Sequence, residues 1–136
     1  MRIVVDASVV VAALMADGAV RDTLLSSSDH DFVAPSYIHE EVTRSIPRVA
    51  HRARLDPRTV RALVEDVLEA IDLVAPAFYA QFSVKAGETA RRAGARGDED
   101  YIALALLLDA PVWTLDADFR RIPGLAVLST RDVAGP

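Results

Sequence analysis

Four carboxylates stand where strands and helices are expected to meet: Asp6, Glu41, Asp98 and Asp116. Asp6 follows the β-branched run Arg2 to Val5, and Asp116 follows Val112-Trp113-Thr114-Leu115. Both read as residues just past the C-terminal ends of buried strands, the edge of an α/β sheet where ligands gather. Glu41 falls on the helix after a second strand, and Asp98 opens the apolar helix that leads to Val112. If the first and fourth strands are neighbours, Asp6 and Asp116 meet and the other two acids close a ring. Several carboxylates in one small site raise one another's pKa unless a cation is present. Mg²⁺ or Mn²⁺ is the expected cation, because these ions take oxygen ligands, whereas a His or Cys set would point to zinc. One such ion, or two about 4 Å apart, activates water and stabilises a leaving oxygen, so phosphodiester hydrolysis is the expected chemistry. Ser8 and Thr114 are the hydroxyls placed to orient a carboxylate or a metal-bound water.

The elements that must position these groups alternate between strand and helix. Strands are expected at Arg2 to Val5, Asp31 to Pro35, Ile71 to Val74, Val112 to Leu115 and Leu125 to Leu128. Between them, apolar residues from Ala7-Ser8 to Met15 read as a helix stopped by Asp17-Gly18, and Ala19 to Leu25 as a second. The Ser26-Ser27-Ser28-Asp29 cluster reads as a loop. Ser36 is a candidate cap for a helix carrying Tyr37, Ile38, Glu41 and Val42, which Pro47 should bend or end. Asp56-Pro57 is a cap followed by proline at the first helical position, and Val60, Leu63, Val64, Val67, Leu68 and Ile71 repeat with helical period. Another helix is expected over Ser83 to Ala93, with Gly94 and Gly97 as breakers. Ser129-Thr130-Arg131-Asp132 has the form of a capping box for a final turn. This alternation implies an α/β fold in three layers, a central parallel sheet of four to five strands with helices on both faces.

Composition bounds the function. A chain of 136 residues with 51% hydrophobic content is most simply one domain with a substantial core. It has no cysteine, which removes disulfides, thiolate metal sites and cysteine nucleophiles. Arg2 before apolar residues has the outline of a secretory signal, but Asp6 interrupts the run and Asp17 ends it, short of a membrane span. Cytoplasm is the default expectation. A formal charge of −5 argues against a general nucleic-acid-coating protein while leaving room for a nuclease with an acidic site.

V-V-D-A-S-V after the first strand, P-S-Y-I-H-E-E-V after the second, and D-E-D-Y-I-A-L-A-L-L-L-D-A-P-V-W-T-L-D-A-D-F together resemble a PIN-domain ribonuclease. The length is similar to that of the VapC-type toxins of toxin-antitoxin pairs. This resemblance implies a Mg²⁺- or Mn²⁺-dependent endoribonuclease acting on RNA, usually a homodimer, with an antitoxin protein as partner. It places the family's acids on Asp6, Glu41, Asp98 and Asp116, with Asp118 as an accessory. Glu40 neighbours the second position, and Asp100 rivals Asp98 for the third. Asp109 departs from the pattern, since relatives commonly have glycine before A-P.

Simpler readings exist for each group. Asp6, Asp98 and Asp100 could cap helices, Asp118 could be a turn residue, and Glu41 could pair with an arginine. A catalytically silent PIN-like scaffold that only binds RNA or protein is the alternative function. Aspartyl-phosphate chemistry is disfavoured. Ser8 stands where haloacid-dehalogenase-like phosphatases carry a second Asp, and Ala75-Pro76 where receiver domains carry the acceptor. Arg44, Arg48 and Arg52 belong to a basic run from Arg44 to Arg61 that could track an RNA backbone. The same run could equally be a solvated face or an antitoxin-binding surface. His30, His39 and His51 have no ligand spacing, and Trp113 reads as core.

Overall fold

A computed structural model describes residues 1–26 and 29–136; Ser27 and Ser28, within the expected loop at Ser26 to Asp29, lie outside the described residues. The first half runs β1 (Arg2–Val5), α1 (Ala7–Met15), α2 (Ala19–Ser26), β2 (Asp31–Pro35), α3 (Ile38–Ala53), α4 (Pro57–Glu69) and β3 (Asp72–Val74). Two short 3₁₀ helices at Pro76–Phe78 and Ala80–Phe82 lead into α5 (Ser83–Ala93). Then follow α6 (Glu99–Leu108), β4 (Val112–Trp113), a 3₁₀ helix at Ala117–Arg121, β5 (Val127–Leu128) and α7 (Thr130–Ala134).

All strands pair in parallel in the order β3-β2-β1-β4-β5. From β1 the chain winds outward through β2 to β3, then returns to the other side of β1 for β4 and β5. The winding reverses between β1 and β4, and the crevice outside their C-terminal ends is the topological switch point of the sheet. Right-handed crossovers put the two halves of the winding on opposite faces. Helices α1 to α4 pack against one another, while α5 and α6 pair and α6 crosses β1 and β2. The result is the expected three-layer α/β/α arrangement with a five-stranded parallel sheet.

The sheet is buried because its strands are apolar on both sides: Ile3, Val4 and Val5 of β1 and Val112 and Trp113 of β4 are fully enclosed. Trp113 is core, as expected. Its ring lies 5.6 Å from that of Phe32, and its indole N–H donates to Thr130 Oγ1 at 3.1 Å. Helices α1 and α6 are apolar nearly all round and sit inside the molecule.

Capping follows the sequence closely in two places. Asp56 accepts from the Arg58 N–H with Pro57 at the first helical position, and Ser129 and Asp132 form a reciprocal capping box. One expectation is corrected and one alternative is removed. Ser36 does not cap α3; Tyr37 occupies the cap position in helical geometry without a side-chain bond. Pro47 does not end the helix, which runs on to Ala53. Proline cannot donate to the carbonyl one turn back, yet burial of Val42, Ile46, Val49 and Ala50 holds the helix through that gap. β4 is shorter than expected because the chain turns aside after Trp113 into the loop that carries Thr114 and Asp116, and β5 begins at Val127 rather than Leu125.

Candidate active site

At the switch point, Asp6 leaves β1 and caps α1, accepting from the Ser8 N–H at 3.4 Å. The same oxygen, Oδ2, also accepts from Ser8 Oγ at 2.6 Å and from Thr114 Oγ1 at 2.8 Å. Asp6 is only 5% exposed. Burial pushes its carboxyl above the usual range, and the donors from Ser8 and Thr114 pull the other way.

Thr114 ties the two strand ends together. Its hydroxyl accepts from the Asp116 N–H at 2.9 Å, and Ser8 Oγ accepts from the Leu115 N–H at 3.0 Å. Asp116 caps the 3₁₀ helix that follows, its Oδ1 accepting from the Asp118 N–H at 2.9 Å. The two expected hydroxyl helpers therefore sit between Asp6 and the Thr114–Asp116 turn. The Asp118 carboxylate itself turns away to pair with Arg121 at 3.2 Å, and Asp118 supports Asp116 through its backbone.

Glu41 enters from α3. Burial raises its pKa, joined by the charges of Asp6 and Asp100, while a hydrogen bond from Tyr101 and the nearby Arg44 lower it. That bond is short, Tyr101 Oη donating to Glu41 Oε1 at 2.7 Å. Tyr101 is fully buried, and burial together with Glu41 holds its phenol proton on well above the ordinary tyrosine range. Sequence reasoning missed Tyr101. Its only signal is the place three residues after Asp98, on the same face of α6.

Asp98 occupies the cap position of α6 without a side-chain cap bond. Burial, then the charges of Asp6, Asp116, Glu41 and Glu99, push its carboxyl up to about 7. Asp100 acts on Glu41 but is not among the charges that raise Asp98. Burial and Glu99 raise its own carboxyl, and it faces the buried hydroxyl of Tyr79, which meets no partner in hydrogen-bond geometry. Burial and Asp100 push that Tyr79 hydroxyl up to about 12. The field of Asp6, Glu41 and Asp116 thus falls on Asp98.

Carboxylates from four separate segments therefore share one field at the strand ends. Among the described residues no three His, Cys, Asp or Glu side chains close to the spacing of a formed metal cage. The donor set is nonetheless oxygen-only, and its mutual repulsion is of the sign that a hard divalent cation offsets.

The arginines separate. Arg44 is engaged, donating to Tyr37 Oη at 3.0 Å, lying 5.7 Å from that ring's centre and 3.9 Å from Glu40. Glu40 is thereby turned to Arg44 rather than to the acids. Arg48 lines a groove of about 400 Å³ that begins at Glu41 and Ser8. Arg52 is exposed. The histidines stay apart from the acids. His39 is 3.2 Å from Glu65 on α4, His30 contacts the Val133 carbonyl at 3.0 Å, and His51 is exposed. Among the described residues no helix is long and apolar enough to cross a membrane.

No curated protein sequence matches the chain significantly. Among solved structures the fold is similar to that of a chain in the crystal structure of VapBC2 from Rickettsia felis bound to a DNA fragment from their promoter. The TM-score is 0.70 and the identity 16%, over 95% of this chain and 98% of that one. A family model described as PIN domain matches residues 4–135, nearly the whole sequence, and the chain accordingly belongs to the PIN-domain family.

Proposed function

We propose that this chain is a Mg²⁺- or Mn²⁺-dependent endoribonuclease, a single PIN-like domain over residues 1–136 that serves as the toxin of a toxin-antitoxin pair. The observation that carries the reading is the shared field of Asp6, Glu41, Asp98 and Asp116 at the switch point of the sheet. Family membership supports the nuclease class. The likeness in fold to VapBC2, which is bound to promoter DNA in its crystal structure, supports an antitoxin partner. Exposed apolar side chains, Phe78 at 68% and Val84 at 77%, are consistent with a homodimer. The cytoplasm is the proposed location.

In this reading the four acids hold the cation. When bound, it supplies a Lewis acid that activates water and neutralises charge building on the phosphodiester during in-line attack. Ser8 and Thr114 donate to Asp6 Oδ2, favouring its carboxylate form against the effect of burial and fixing that oxygen. Tyr101 does the same for Glu41. Loss of RNA cleavage in Mg²⁺ is expected for the double variant Asp6→Asn, Asp116→Asn. Undiminished cleavage by that folded variant would sink the proposal.

The silent PIN-like scaffold has one observation on its side, the lack of a closed three-ligand set among the described residues. Calorimetric titration separates the two. Heat on adding Mg²⁺ or Mn²⁺, lost in the double variant, supports the enzyme; no heat with or without RNA supports the scaffold.

A further inference from the structure

The groove that begins at the acids is bounded by α1 and α3, with Val11 and Ala12 on one wall, Ser45 and Arg48 on the other, and Leu115 at its mouth. On α3, Glu41, Ser45, Arg48 and Arg52 follow one another at positions i, i+4, i+7 and i+11, a single line along the helix. At the helical rise, Arg48 stands about 10 Å beyond Glu41 along the axis and Arg52 about 6 Å further. The line therefore starts in a carboxylate and ends in two guanidinium groups, a polarity suited to a chain of phosphates that leaves an acidic, cation-holding centre.

Arg48 differs from Arg44 in what it touches. Arg44 is occupied by Tyr37 and Glu40, whereas Arg48 meets no carboxylate within ion-pair distance among the described residues. Leu115 is 51% exposed although it lies between Thr114 and Asp116, and its backbone N–H is pinned to Ser8 Oγ. An apolar side chain held rigidly beside the acids, opposite a free arginine, offers one surface to a base and another to a phosphate.

We propose that this groove takes the nucleotide next to the scissile phosphate of a single-stranded RNA, with Arg48 contacting its far phosphate, Leu115 and Val11 packing on its base, and Arg52 continuing the path. The inference rests on the ribonuclease reading above. Single strands are favoured because a base must leave its stack to reach the apolar wall. Charge decides between RNA and a protein segment as occupant: Arg48 in the groove and Arg52 beyond it lie in line with Glu41, in a chain of net charge −5.

The test uses the Asp6→Asn, Asp116→Asn protein and a fluorescein-labelled single-stranded oligoribonucleotide of mixed sequence, with binding followed by anisotropy across a salt series. Adding Arg48→Ala should weaken binding about tenfold and reduce the slope of log K against log salt by about 0.7, one phosphate contact on a single strand. Arg2→Ala, at the start of β1 and so at the opposite edge of the sheet from the acids, removes the same charge and should leave the slope unchanged. In the native background, Arg48→Ala and Leu115→Ala should raise KM with kcat nearly kept, as expected for binding made equally in ground and transition states. Both side chains are exposed, and melting curves confirm that the variants fold. RNA binding by the double variant with an unaltered slope and KM on Arg48→Ala overturns the groove assignment alone, and leaves this face to a protein partner. Failure of the native chain to cleave RNA and of the double variant to bind it overturns the ribonuclease reading, and the groove assignment with it.

Discussion

Thr114 Oγ1 donates to Asp6 Oδ2 at 2.8 Å and accepts from the Asp116 N–H at 2.9 Å, so one buried hydroxyl joins the ends of β1 and β4. The strands are already neighbours through the Val4–Val112 and Val5–Trp113 pairs. What the hydroxyl adds is the relative position of two acids on different loops. Thr114→Val keeps the shape and removes both bonds, leaving a partly buried N–H unpaired and Asp6 one donor short. A loss of about 1–3 kcal/mol in denaturant unfolding is expected. Because the lost donor lowers the Asp6 pKa, the carboxyl should also titrate higher in carbon-detected NMR.

Tyr101→Phe separates positioning from packing. The ring stays in the core, and only the 2.7 Å bond to Glu41 is lost. Groups that orient a metal ligand typically change affinity by about 10- to 100-fold. The variant should therefore bind Mn²⁺ at least about tenfold more weakly, read by paramagnetic resonance, while its melting temperature stays close to that of the native chain. Unchanged Mn²⁺ affinity would show that Glu41 needs no such support.

Some of this was legible in the residues and some was not, for reasons of range. Asp56-Pro57 and the Ser129–Asp132 box are local chemistry, and they appear in the structure as read. Strand and helix alternation was enough for the three layers. What separates Asp98 from Asp100 is not local: the charges of Asp6, Asp116 and Glu41 act on Asp98, while Asp100 acts on Glu41 and faces Tyr79, and these relations depend on the packing of α6 across β1 and β2. The 3₁₀ turns around Tyr79 escaped notice because they are set by burial of that ring, which leaves no periodicity. Pro47 could be read as either bending or ending α3, and the helix continues because tertiary burial overrides propensity rules that describe isolated helices.

Asp109 carries a small cost that can be removed. It ends α6 in the left-handed region at φ 49°, ψ 46°, and its N–H closes the helix on the Ala105 carbonyl. Glycine takes this conformation freely, while an L side chain there costs roughly 1–2 kcal/mol, less for Asp than for most. Asp109→Gly should thus stabilise the chain by about 1 kcal/mol, an increase of several degrees in melting temperature. RNA cleavage should not change, since Asp109 lies at the opposite end of α6 from Asp98.

The acids at the strand ends should make the metal-free protein less stable as pH rises. Asp98 binds its proton more tightly folded, up to about 7, than at its ordinary 3.8, and Asp6 and Glu41 are shifted in the same direction. Between those two values the native state holds more protons than the unfolded one, so unfolding free energy falls with increasing pH. Below about pH 4 the Asp98 contribution vanishes, because both states are protonated; above about pH 7 the full cost is present. Melting temperature measured without divalent ions should fall across this window. Asp98→Asn removes one of the interacting charges, so its profile should be flatter and its melting temperature higher than native at about pH 8. Millimolar Mg²⁺ should raise the native melting temperature more at that pH than at about pH 5, since in the proposed function the cation binds the ionised acids. A native profile parallel to that of Asp98→Asn, with or without Mg²⁺, would mean that Asp98 does not share the field of the other three acids.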